Sequence, residues 1–230
     1  MCVYYRYMLF SILFSNLTGL QISLAIAGFL FAIMIALVAH EFAHAFAAYK
    51  SGDNTAKLAG RLSLNPSKHV EPIGLLMFLV VGIGWAKPVP VNPFNYRNFR
   101  RGNFFVSIAG VSVNFVLGLL ASLGYFLIVH YTAYDTNVWL WGAAMFFMFA
   151  MVINIALMIF NLLPVPPLDG FNMLVSFTKP DNSYMVWARR NSHWLLMAVL
   201  LISMFTGGIA WLRQGITDLF MMMWSAIFGV

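Results

Sequence analysis

The chain is 230 residues long, 62% hydrophobic and only 9% charged, with a mean hydropathy of +0.84. So much apolar surface has no place in one soluble core, and the composition predicts an all-α polytopic membrane protein. The net charge of +6 is spread over short loops between apolar runs, which points to topology signals facing anionic lipid and away from nucleic acid, and the single cysteine, Cys2, excludes an intramolecular disulfide or a cysteine-rich zinc site.

Residues 1–18 hold Arg6 and an apolar patch from Tyr7 to Phe14 with no small-residue cleavage site after it, so they read as a retained interfacial lead-in. The first clear span runs from Leu20 to Tyr49. At about 1.5 Å per residue it is longer than a bilayer core, so its last turns protrude or tilt. It stops at Lys50-Ser51-Gly52, and a few turns before that stop lies His40-Glu41-Phe42-Ala43-His44. Positions four apart share a helix face, so His40 and His44 can offer imidazole nitrogens to one metal ion with Glu41 beside the same cavity. Ordinary surface histidines are the bland alternative, but three ionisable groups in a lipid-length segment cost too much to be idle.

Eight of the thirteen Lys and Arg fall between Lys50 and Arg101, which places that stretch on the cytoplasmic side. Within it, Ile73 to Trp85 is apolar but too short for a span, so it is expected to enter and return on one face as a re-entrant element. The following Lys87-Pro88-Val89-Pro90-Val91-Asn92-Pro93 must be extended, because alternating prolines exclude a helix. A second span, Asn103 to Val129, carries Gly110, Asn114, Gly118 and Ser122 at intervals of four, a small or polar face for close helix contact. Asn114 either bonds across helices or shapes a site.

Tyr131 to Val138 has no Lys or Arg and belongs outside; Trp139 to Leu163 then returns, with Trp139 and Trp141 as interfacial anchors. It ends in Asn161-Leu162-Leu163-Pro164-Val165-Pro166-Pro167-Leu168-Asp169-Gly170, a broken backbone that should line a cavity. Beyond Arg189 and Arg190, a last apolar region from Trp194 is interrupted at Thr206-Gly207-Gly208, as one span and an interfacial helix or as a hairpin of two. About four to six spans result.

Catalytic zinc commonly takes three protein ligands and water. Seven acids are available. Asp53 and Asp181 lie in polar loops, Asp135 is on the opposite side, and Asp218 lies in the tail beside Arg213. Asp169 is delivered to the same end as His40 and His44, and Glu71, preceded by Lys68 and His69 in what reads as a solvated loop, is the second choice. An aspartate before Gly170 also suits a plain turn.

The HExxH pentapeptide, Gly60 to Pro66, Gly84 to Pro93 and the Asn161 to Gly170 segment, in this order, resemble the site-2 protease family of intramembrane zinc metalloproteases in its compact prokaryotic form. The resemblance covers roughly Ile35 to Thr178, with Gly110-Val111 where the family often has Gly-Pro. It implies that His40, His44 and Asp169 bind one zinc ion per chain, that Glu41 is the general acid/base, and that Asn161 positions substrate or stabilises the oxyanion. It further implies a membrane-embedded metalloprotease core at residues 19–178, followed by transmembrane or interfacial helices at 179–230. The implied partners are a transmembrane substrate and the bilayer of the cell membrane, with the active site toward the cytoplasm. A metal-binding transporter or a non-proteolytic chaperone is the alternative; no internal repeat supports the first, and chelator-sensitive proteolysis restored by zinc separates the three.

Overall fold

The computed structural model describes residues 16–81, 84, 86–179 and 182–230. Almost all of the expected lead-in, and Asp181, lie outside the described residues. The described chain is helical and holds no strand: α1 (Gly19–Ser51), α2 (Thr55–Leu58), α3 (Pro72–Val81), α4 (Phe99–Tyr131), α5 (Val138–Asn161), α6 (Asp169–Phe177), α7 (Ser183–Arg190), α8 (Ser192–Thr206) and α9 (Gly208–Phe228). It is an all-α polytopic membrane protein. α1, α4 and α5 are each long and apolar enough to cross a bilayer, and α8 with α9 forms a fourth candidate bent by 66°. The bend is at Gly207, whose φ of 68° is left-handed. A 66° bend is not the reversal that a hairpin of two spans requires.

The first span starts where local chemistry allows it. Thr18 accepts from the Gln21 N–H while the Gln21 side chain answers to the Thr18 N–H, a reciprocal cap that satisfies two orphan donors. The helix ends at Gly52, in the left-handed region at φ 111°. Ala25, Phe29, Ala32, Ile33, Ala36 and Leu37 of α1 pack against Phe149 and Ile153 of α5. On its other side α5 packs through Met151, Val152, Ile155, Met158 and Ile159 against Val111 and Ala121 of α4 and Phe220 of α9. α5 is therefore the central post, flanked by α1 and α4. Gly118 sits over Ile155, where an added Cβ would be 3.3 Å from the isoleucine side chain, as the small face of α4 predicts.

Between α1 and α4 the first part of the short apolar run forms α3, only ten residues long, and Lys87 to Asn92 is non-helical as its prolines demand, with Asn92 itself extended. In the loops expected to be polar around Asp53 and solvated around Glu71, the side chains of Asp53 and His69 are fully buried, while Lys68 is exposed and Glu71 half-buried. Asp53 accepts from the N–H groups of Asn92 and Thr55 and from the Asn95 amide, and His69 Nε2 donates to the Ser63 carbonyl. Asp53 is supplied with partners from the distant Asn92 and Asn95 as well as from Thr55, whereas His69 Nδ1 is buried without one.

Candidate metal centre

His40 and His44 occupy successive turns of α1, and Asp169 is the first residue of α6, reached through the proline-broken Leu162 to Leu168 stretch. That stretch can deliver the carboxylate only because Gly170 is there: an added Cβ would collide with the Leu162 carbonyl oxygen. α6 is tied to α4 by Asn103, whose amide donates to the Asn172 carbonyl and to Ser176 Oγ.

The three side chains converge. His40 Nε2 and His44 Nε2 are 3.0 Å apart, and Asp169 Oδ2 lies 3.5 Å from the first and 3.3 Å from the second. Hydrogen bonds behind the rings fix their tautomers. The Ala150 carbonyl can only accept, so the Asn154 amide points its NH2 there at 2.8 Å and its oxygen takes the Asn114 NH2, also at 2.8 Å. Asn114 Oδ1 is then an acceptor, and His40 Nδ1 must donate to it across 2.6 Å. His44 Nδ1 likewise donates to the Val106 carbonyl at 2.7 Å. When both rings are neutral, their Nε2 atoms are lone pairs facing one another and a carboxylate oxygen.

Three acceptors in so small a triangle repel unless a cation, a metal ion or a proton on one ring, sits between. Asp169 Oδ2 is itself buried without a hydrogen-bond partner. Ligand atoms about 2.0–2.1 Å from a tetrahedral ion lie roughly 3.3–3.4 Å from each other, so the observed separations fit a divalent metal. Among the described residues this is the one such group, and Glu71 is not in it. Imidazoles held by an amide and a carbonyl on their far nitrogens are the usual outer support of a metal site.

Glu41 follows His40 on α1. Its Oε2 accepts from the Val89 N–H at 2.9 Å, and Oε1 accepts no hydrogen bond among the described residues. Asn161 ends α5, and its amide donates to the Leu157 carbonyl of its own helix at 3.0 Å. Asn114 thus does both things weighed for it, bridging α4 to α5 and orienting His40.

Gly110 and Asn154 were not legible as site residues. An added Cβ at Gly110 would lie 2.5 Å from His40 Cε1 and 2.6 Å from His44 Nε2, so the glycine is what lets α4 pass the imidazoles. The four-residue spacing of Gly110 and Asn114 marked the right face of α4, but not what lay opposite.

A profile of peptidase family M50 matches residues 122–205, a stretch that includes Asn154, Asn161 and Asp169. The chain is 37% identical over 201 residues to YwhC of Bacillus subtilis, named as a candidate zinc metalloprotease, covering 85% of this chain and 90% of that protein. It is 30% identical over 185 residues to Rip2 of Mycolicibacterium smegmatis, similarly named, covering 78% of this chain and 67% of Rip2. A Mycobacterium tuberculosis Rip2 is 29% identical over 200 residues, covering 82% and 72%. No solved structure matches the chain significantly.

Proposed function

We propose that this chain, which belongs to peptidase family M50, the site-2 protease family, is a zinc endopeptidase that cleaves a peptide bond in or near a transmembrane segment of another membrane protein. The observation that carries this reading is the convergence of His40 Nε2, His44 Nε2 and Asp169 Oδ2 on one point, with Glu41 next to His40 in the chain. His40, His44 and Asp169 hold the zinc. When bound, zinc supplies Lewis acidity, polarising a carbonyl and lowering the pKa of water toward neutrality.

Glu41 takes the proton from the attacking water and later gives it to the leaving amine. Its free Oε1 is the atom for this transfer, Oε2 being held by Val89. The Asn161 amide turns from the Leu157 carbonyl to the developing oxyanion or to the substrate backbone. A site that only carried an ion has no use for a carboxylate set between its ligands in sequence.

A peptide bond inside a transmembrane helix is covered by its own hydrogen bonds, so the substrate must unwind locally. The unwound strand pairs with the extended Lys87 to Asn92 segment, where the Val89 and Pro90 carbonyls and both backbone groups of Val91 have no hydrogen-bond partner among the described residues. This segment and the metal centre face the cytoplasm, in a cell membrane, a reading supported by the bases between Lys50 and Arg101.

The test is zinc content measured beside cleavage of single-span membrane peptides. Wild type is expected to hold one zinc, to cleave, to stop with chelator and to restart with zinc; Glu41→Gln is expected to hold zinc and not cleave. Cleavage by Glu41→Gln at the wild-type rate would remove the assignment.

A further inference from the structure

Glu41 is a flexible side chain asked to present one oxygen to a proton. Something must hold the other oxygen still. The holder is the Val89 N–H, at 2.9 Å. A backbone N–H neither rotates nor ionises, and its setting here is stiff. Pro88 and Pro90 flank it and lack donors of their own, so Val89 offers the single N–H of the three residues. The Val89 side chain is buried against Ala45 of α1 and Ala56 of α2.

The same peptide group is gripped from its opposite end. The peptide N–H of Val89 and the carbonyl of Pro88 belong to one planar unit. Arg61 Nη2 donates to that Pro88 oxygen at 3.1 Å and to the Lys87 oxygen at 2.6 Å. Arg61 is 8% exposed, and its Nε is buried without a partner, so the charge is not solvated away. A guanidinium on a peptide oxygen draws electron density toward it and makes the N–H at the far end a stronger donor. Anchors lie on both sides as well: the Lys87 N–H donates to the His69 carbonyl at 2.8 Å, and the Asn92 N–H to Asp53 at 2.7 Å.

We propose that Arg61 and Val89 are positioning residues for Glu41: the arginine polarises and immobilises the Pro88–Val89 peptide group, whose N–H fixes one carboxylate oxygen and leaves the other free. The catalytic consequence rests on Glu41 being the proton carrier; the electrostatic relay does not. The chain has three Pro-Val bonds, at Val89, Val91 and Val165, so labelling with carbonyl-13C proline and 15N valine selects three amide resonances. In the zinc-loaded protein the Val89 proton is expected downfield, and expected to move upfield in Glu41→Gln and in Arg61→Gln while Val165 stays. Arg61→Lys, a gentler change, should give a smaller shift of the same sign. A Val89 resonance that both Arg61 variants leave in place overturns the relay, whatever the protein cleaves.

For the catalytic consequence, Val89→Pro deletes the N–H but keeps an extended backbone, and Val89→Ala serves as the reference for trimming the side chain. Relative to Val89→Ala, kcat of Val89→Pro is expected to fall by about tenfold or more, with KM within roughly twofold and zinc content equal. Equal kcat in the two variants, or zinc lost along with kcat, overturns the positioning role. Absence of any cleavage by wild type would instead sink the proposed function, leaving the resonance shifts to decide the relay.

Discussion

Gly110 of α4 and His40 of α1 pass so closely that a methyl group on the glycine would lie 2.5 Å from the imidazole Cε1. Helix α4 is therefore the wall against which the two imidazole rings rest. Gly110→Ala must push both imidazoles off their positions, since the same carbon would also be 2.6 Å from His44 Nε2. Zinc per chain is expected to fall well below that of wild type, and cleavage with it, as metal analysis of the purified protein will read. Retention of full zinc by the alanine variant would mean that α4 yields more readily than close packing allows.

Asn114 holds His40 in the tautomer that leaves Nε2 bare. Asn114→Leu removes both the acceptor for Nδ1 and the donor to Asn154, leaving two buried polar groups unpaired. Loss of such outer support typically weakens a metal site by about 10–100-fold. Competition against a chelator of known affinity should show a weakening of that order. Asn154→Leu is expected to act in the same direction and more weakly, because it touches His40 only through Asn114.

Asp53 fastens the far end of the extended segment from outside the spans. Burial alone would raise its carboxyl, but the Asn92 N–H, the Thr55 and Asn95 side chains and the Thr55 N–H together hold it below its ordinary value of 3.8. Its contribution is complete above that ordinary value and is lost as pH falls through the lower folded one. Asp53→Asn is therefore expected to be less stable than wild type near neutral pH, by a margin of about 2 kcal/mol, and so to unfold at lower temperature. The margin should shrink below about pH 4, as thermal scans in detergent across pH 3–7 will show. A margin that grew on acidification would assign the stabilisation elsewhere.

Asn161 donates within its own helix, so its substitution should leave the metal centre intact. Asn161→Ala is expected to bind zinc like wild type and to lose about 10²-fold or more in kcat, the usual consequence of removing an oxyanion donor. Unchanged kcat would restrict Asn161 to finishing α5.

The HExxH helix, the extended proline segment and the arrival of Asp169 at the histidine end all follow from the order of residues, because helix periodicity, proline stereochemistry and the asymmetry of Lys and Arg act within single segments. Asp53 and His69 show where that kind of inference stops. Asp53 reads as part of a polar loop and His69 as part of a solvated one, yet both are buried: Asn92, far along the chain, holds Asp53, and the Ser63 carbonyl takes one nitrogen of His69. Gly110 and Asn154 have local surroundings of ordinary transmembrane helix, and only the close crossing of α1, α4 and α5 gives the glycine its necessity and the asparagine its place behind His40.

Sequence alone determined which atoms are available to hold a metal, since a carboxylate or imidazole stranded in an apolar run has few other uses. The tertiary structure decided how those atoms are aimed: tautomer, clearance and the grip of Arg61 on the peptide facing Glu41 depend on distances between segments far apart in the chain, and no local pattern of residues encodes a distance.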